Sequence, residues 1–165
     1  MFGHFENWAR VALVALVLTL PLDVRADDLL VVVSEGRNLD ENQVARVEKA
    51  VTAASTAWIA AFNSGDANSA ARQYTEDAVM EAKPFGTFTG RAEIEGFWQN
   101  IIAMGFADVT YILPKLEIAD ETTGIISSGW RMNKAFGIIT REVWRVQANG
   151  QALLVEDRFE ILMNR

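Results

Sequence analysis

The stretch REVWRVQANGQALLVEDRF runs from Arg141 to Phe159. Two apolar-rich runs flank Ala148-Asn149-Gly150-Gln151. Asn-Gly suits the positive φ of a tight turn, so the stretch predicts an antiparallel hairpin, with strands over 138–147 and 152–163. Working back from it, 125–134 and 107–118 also read as strands, the latter interrupted at Pro114, which suits an edge or a bulge. Ala135-Phe136-Gly137 is expected to turn one strand into the next.

The first half of the chain reads differently. Asp40, followed by Gln43 in a capping-box spacing, predicts a helix to about Asn63. Its apolar stripe (Val44, Val47, Val51, Ala54, Trp58, Ala61, Phe62) has helical spacing. Gly65 stops it, since glycine takes a left-handed C-cap without strain. Asp66 caps a short second helix expected to reach Tyr74. A short strand is expected over 78–83, then a turn at Pro84-Phe85-Gly86 and a loop to Gly90. A third helix is predicted over 92–104. Helices first and antiparallel strands after give an α+β fold: three N-terminal helices packed on one face of a strongly curved, mostly antiparallel sheet.

Two acids stand out in the hairpin. Strict alternation puts Glu142 on one face with Ile138, Thr140, Trp144 and Val146, mostly apolar. It puts Asp157 with Leu153, Val155, Phe159, Ile161 and Met163. Both acids lie about equally far from the turn, so they are expected as cross-strand neighbours. Two acids sharing an apolar site push one pKa up, which sets a neutral acid beside an ionised one. They are therefore the candidate catalytic pair. The alternative is structural: a salt bridge near the strand end for Glu142, and an internal ion pair for Asp157 with Arg131, Arg141 or Arg158. Trp58, Tyr74, Met80, Trp98, Trp130, Met132 and Trp144 are the candidate lining of a soft aromatic pocket for a small, flat, hydrophobic ligand. Met104 is expected there too. Core packing accounts for the same residues without a ligand.

Composition removes other chemistries. The 165-residue chain is 50% hydrophobic and 22% charged, with net charge −7, the wrong sign for nucleic acid or anionic lipid. It has no cysteine and one histidine, His4. Residues 1–26 read as a secretory signal, with Arg10 before the apolar run from Val11 to Leu20 and cleavage after Ala26. The expected product is a soluble secreted or periplasmic protein, free of the membrane: a lead over 27–39, including a strand-like run at 29–33, and one domain over 40–165. Without His4 it has no Ser-His-Asp triad. No cofactor or metal signature is present, neither a phosphate loop nor a dinucleotide-binding glycine pattern.

WIAAFNSGD (58–66), YTEDAVM (74–80), PFGTFTGRAEIEGFW (84–98) and the hairpin stretch together resemble the nuclear-transport-factor-2-like superfamily, in its SnoaL-like branch. The likeness covers roughly 41–163 and extends to ketosteroid isomerases and polyketide cyclases. It implies a cone-shaped, cystatin-like α+β roll with an apolar pocket, and homodimers. Three functions follow from it as expectations: small-molecule binding, an isomerase, cyclase or dehydratase activity, or a non-catalytic dimer module. The isomerase-like members carry a tyrosine donor, an aspartate base and a protonated acid, which fall here on Trp58, Ala82 and Glu142. A methyl group abstracts no proton, so ketosteroid isomerisation is not expected. Glu81, one residue off, is expected to point away from the pocket.

Overall fold

A computed structural model describes residues 29–164, and the expected signal segment over 1–26 lies outside them. The elements run β1 (Leu30–Val33), α1 (Glu41–Asn63), α2 (Ala67–Ala71), β2 (Tyr74–Lys83), β3 (Gly86–Thr89), α3 (Arg91–Ala103), β4 (Thr110–Ile118), β5 (Thr123–Arg131), β6 (Ala135–Val146) and β7 (Ala152–Asn164). Seven strands form one open sheet in the order β1-β4-β5-β6-β7-β2-β3. Only β1–β4 and β2–β7 are parallel pairs. This is the expected α+β architecture of helices on a mostly antiparallel sheet. No described helix is long and apolar enough to cross a membrane.

Local chemistry sets the helix ends. The Asp40 side chain accepts from Gln43 N–H at 2.8 Å, and the Gln43 side chain accepts from Asp40 N–H at 2.9 Å, closing the capping box. Gly65, at φ +80°, turns the chain out of α1. Asp66 then accepts from Ser69 N–H at 2.9 Å and starts α2. The buried stripe of α1, with Val47, Val51, Trp58 and Phe62 almost fully covered, lies against the sheet. Each such side chain contributes about 1.5–3 kcal/mol by leaving water.

Three sequence expectations need correction. α2 ends at Ala71, and Tyr74 is the first residue of β2 rather than the last of a helix. The segment after Pro84 is not a plain loop: β3 pairs with β2 from Val79↔Thr89 to Ala82↔Gly86. Ala135-Phe136-Gly137 is strand, not turn, and the chain reverses just before it, where Met132 N–H bonds Ala135 O at 2.7 Å. At Pro114 the expected break is present. The β4–β5 register shifts between Ile112 and Lys115, and Leu113 sits at φ 50°.

Bulges also correct the strand faces. β6 and β7 lose register between Ile139 and Arg141 and between Val143 and Trp144. Thr140 and Val155 are the unpaired residues there. Each extra residue reverses the alternation beyond it. The inner face of β6 is therefore Gly137, Ile139, Glu142 and Trp144, while Ile138 and Thr140 point outward. The inner face of β7 is Leu154, Asp157 and Phe159, not Leu153 and Val155.

Candidate active site

The inner faces of β6 and β7 meet over the helices at one register pair, Glu142↔Asp157. Both acids are 4% exposed, and the alternative of an ion pair is not found among the described residues: Arg141 and Arg158 turn outward to Glu156. What meets the acids instead is neutral. The Tyr74 hydroxyl donates to Asp157 Oδ2 at 2.7 Å. The Tyr111 hydroxyl donates to Glu142 Oε1 at 2.5 Å, and Trp144 Nε1–H donates to Glu142 Oε2 at 3.0 Å.

Distant contacts place each donor. Tyr74 is held at the head of β2 by Arg91, whose Nε and Nη2 donate to its carbonyl at 2.9 and 2.6 Å. Leu154 N–H adds a bond to Gln73 O at 2.8 Å, fastening β2 to β7 beside Asp157. Tyr111 is positioned from the end of α1. Asn63 there accepts from Val109 N–H at 2.7 Å and donates to Val109 O at 3.0 Å. Gly137 lets Trp130 lie against β6: a Cβ at that position would fall 2.6 Å from the indole ring and 2.0 Å from Glu160 O.

A cavity of about 30 Å³ lies against the pair, lined by Trp58, Trp98, Tyr111, Trp130, Met132, Ile139, Glu142, Asp157 and Phe159. That is room for about one or two waters. Its walls are packed rings. Trp58 and Trp98 meet edge-on at 5.1 Å, Trp98 stacks on Phe159 at 5.7 Å, and Trp130 meets Phe159 edge-on at 6.2 Å.

The electrostatics follow from burial without a cation. Burial pushes Glu142 up to about 7, against the lowering effect of its Tyr111 and Trp144 bonds. Burial raises Asp157 well above the usual carboxylate range, and the charge of Glu142 raises it further, while the Tyr74 bond lowers it. Tyr74 and Tyr111 are raised too, by burial first and then by the adjacent acid, so both phenols stay protonated at neutral pH. Glu142 has donors on both oxygens and Asp157 on one. A single proton held by the pair therefore belongs on Asp157, leaving Glu142 as the anion. The arrangement can accept a proton at one carboxyl and give one at the other.

Most sequence candidates converge here. Trp58, Trp98, Trp130 and Met132 line the cavity, and Tyr74 and Trp144 hold the acids from behind. Met80 is fully buried under Tyr74, with its sulfur 3.9 Å from the hydroxyl, outside the lining. Met104 is 54% exposed and takes no part. Ala82 is buried and inward, while Glu81 points out toward Lys83 and Arg158. Sequence reading missed Tyr111. Its signal was the alternation of Val109 and Tyr111 ahead of the Pro114 break. Among the described residues, no three acidic, histidine or cysteine side chains are placed to hold a metal ion.

Comparison with known proteins agrees with this frame. No curated protein matches the chain by sequence. Similar solved structures include a ketosteroid isomerase-like protein from Erwinia carotovora atroseptica, with TM-score 0.61, 17% identity, and coverage of 76% of this chain and 99% of that one. ActVI-ORFA from Streptomyces coelicolor gives 0.59, 14%, 70% and 97% in the same terms. An NTF2-like protein with a cystatin-like fold from Novosphingobium aromaticivorans gives 0.60, 15%, 73% and 85%. At these identities the likeness shows the fold, which is the cystatin-like, NTF2-like α+β roll. The SnoaL-like domain family matches residues 55–158, a span that contains both acids, Tyr74 and Tyr111, and the chain belongs to that family.

Proposed function

We propose that this protein binds a small, mostly apolar molecule against Glu142 and Asp157 and moves a proton on it. Glu142 is the base and Asp157 the acid. One observation carries the reading: two acids on paired positions line an aromatic cavity, each held by a phenol and neither opposed by a cation. Such a pair costs folding stability, and groups perturbed in this way cluster at functional sites. Base and acid together support an isomerisation, in which one proton leaves the ligand for Glu142 and another reaches it from Asp157. They also support a dehydration, in which Glu142 takes a proton from the carbon next to the one bearing the hydroxyl and Asp157 protonates that hydroxyl, which leaves as water. Transfer between the two carboxyls then restores the starting state. Ketosteroid isomerisation is not part of the reading, because Ala82 stands where the resemblance places the base. The reading also takes the chain as exported, with 1–26 removed, and as a homodimer.

A second reading rests on the small cavity. By it, the rings of Trp58, Trp98 and Phe159 complete a core, and the chain is a structural module. The two readings separate on mature 27–165 purified from its own host. Native mass spectrometry is expected to show a stoichiometric small molecule, released on denaturation, and the same spectrum gives the oligomeric state. A carbon-detected titration of the carboxyl groups is expected to find one of the pair still protonated at neutral pH. A clean apo mass, with both acids titrating near 4, would sink the proposal and leave the module.

A further inference from the structure

Cations are outnumbered in this chain, 15 lysines and arginines to 22 aspartates and glutamates. Lys83, Arg91, Lys115, Arg141 and Arg158 each sit against a carboxylate. Arg46, Lys49 and Arg72 do not, and all three line one groove of about 670 Å³ between the outer side of α1 and the β6–β7 turn. Arg46 donates to the Glu121 carbonyl at 2.8 Å, and Arg72 donates to the Asn68 and Ser69 side chains. Lys49 has no hydrogen bond or ion pair within the described residues. Asp66 feels the charge of Arg72 but spends its own oxygens on Ser69. No acid lines the groove. In a chain of net charge −7 it is an island of the opposite sign.

The floor of the groove is α1, and Ala50, Ala53 and Ala57 keep it low. From Arg46 to Ala57 the helix rises about 16 Å. Arg46 and Lys49 hold one end. Arg72 caps α2, which follows α1 after the Gly65 turn and packs on it, so Arg72 stands toward the other end. The walls add two amides. Gln73 makes no side-chain hydrogen bond within the described residues, and Gln151 uses only its side-chain oxygen, accepting from Asn149 Nδ2 at 3.1 Å. An amide side chain both donates and accepts, which matches a peptide group. A helical partner has bonded its peptide groups internally and offers none. An extended partner offers both, and about five residues of it span the length of the floor.

We propose that this groove is a second binding site, for an extended acidic peptide. One carboxylate of the peptide is received by Arg46 and Lys49, and another, about four residues on, by Arg72. Gln73 and Gln151 pair with the peptide groups between them. The alanine floor leaves room for small apolar side chains and selects against bulky ones. Charge complementarity carries the choice of partner: the groove attracts an acidic segment, while the acidic surface around it repels one that is out of place. None of these residues belongs to the Glu142–Asp157 site, so the two sites stand or fall separately.

The test uses three capped five-residue peptides. The first is aspartate-valine-alanine-valine-aspartate. The second has asparagine at both ends, and the third carries both aspartates side by side at one end. The alanine methyl signals of ¹³C-labelled protein are followed by NMR, with Ala53→Ser and Ala57→Ser used to assign them. The expected result is a saturable shift of the Ala50, Ala53 and Ala57 signals with the first peptide, and binding about tenfold or more tighter than the second. The third should bind more weakly than the first, and added salt should weaken the first. Lys49→Gln and Arg72→Gln, both at exposed positions, should each weaken the first peptide about fivefold or more, whereas Lys115→Gln, outside the groove, should leave it unchanged. The unaltered protein gives the main readout, so a variant that folds poorly does not spoil it. Equal binding of all three peptides, or an equal loss in Arg72→Gln and Lys115→Gln, overturns the proposal. So do shifts confined to alanines outside the groove, no binding at millimolar peptide, or inorganic triphosphate binding tighter than the first peptide.

Discussion

The two faces of the β6–β7 hairpin treat their charges in opposite ways. On the outer face, Glu156 takes Arg158 at 2.8 Å and Arg141 at 3.2 Å, and Arg158 also reaches Glu81 at 3.9 Å. On the inner face, Glu142 and Asp157 sit one residue along the same strands and meet phenols and an indole. The arginines are next in sequence to the acids they do not neutralise. Because a strand's side chains alternate, neighbours in sequence look into different media. The outer cluster is partly exposed to water and contributes little. The inner pair sits in a low-dielectric core, where the same kind of charge shifts its own pKa. Adjacent positions thus give an ion-pair cluster on one face and a buried carboxyl pair with raised pKa values on the other.

Four experiments would break or sharpen that contrast. The largest effect is expected from Gly137→Ala, because the new methyl meets both the Glu160 carbonyl and the Trp130 ring. A loss of about 3 kcal/mol or more in denaturant unfolding is expected, whereas outward Ile138→Ala should cost less than about 1 kcal/mol. Equal losses would show that the inner face is not tightly packed.

Next comes pH. Glu142 and Asp157 have folded pKa values above their unfolded ones, so the native state binds more protons than the unfolded chain. Their contribution is fully present below about pH 4 and is lost as pH rises, through about 7 for Glu142 and well above the usual carboxylate range for Asp157. Stability should fall between pH 5 and 8 by an amount on the order of a few kcal/mol. Glu142→Gln should flatten that slope and raise stability at pH 8. A slope unchanged in the variant would contradict the assignment. Asp66, Glu117 and Asp120, whose values are lowered by their hydrogen bonds, act in the opposite sense at more acidic pH and do not confuse the window.

Tyr74→Phe removes one donor and leaves Asp157 without a partner among the described residues. A loss of about 1–3 kcal/mol is expected, with a further rise in the Asp157 pKa. An unchanged carboxyl titration would show that the phenol does not hold the acid. Last, Arg158→Gln on the outer face should change stability by less than about 1 kcal/mol, and added salt should erase the difference. A larger, salt-resistant loss would mean that the outer cluster matters to the fold.

Much of this molecule follows from local sequence. The Asp40 capping box, the Gly65 stop, the Asp66 cap and the apolar stripe of α1 depend on residues a few positions apart, and all are present as expected. Asn149-Gly150 sets the hairpin turn, with Gly150 at φ 83°. Equal distance from that turn predicted Glu142 opposite Asp157. The pairing is right although the alternation used for each strand was not. Bulges at Thr140 and Val155 carry both acids inward by a different count, and a bulge depends on the neighbouring strand as much as on its own residues. The place of Tyr74 on a strand depends on Arg91 and Leu154, which are distant in sequence. Tyr111 reaches Glu142 from β4, which pairs with β5 and whose approach at Val109 is fastened by Asn63 to the end of α1. The identities of the two acids and the turn between them were therefore set within one short segment. Their burial, their phenol partners and the indole rings around them were decided by packing between segments, since a buried charge takes its energy from everything that surrounds it.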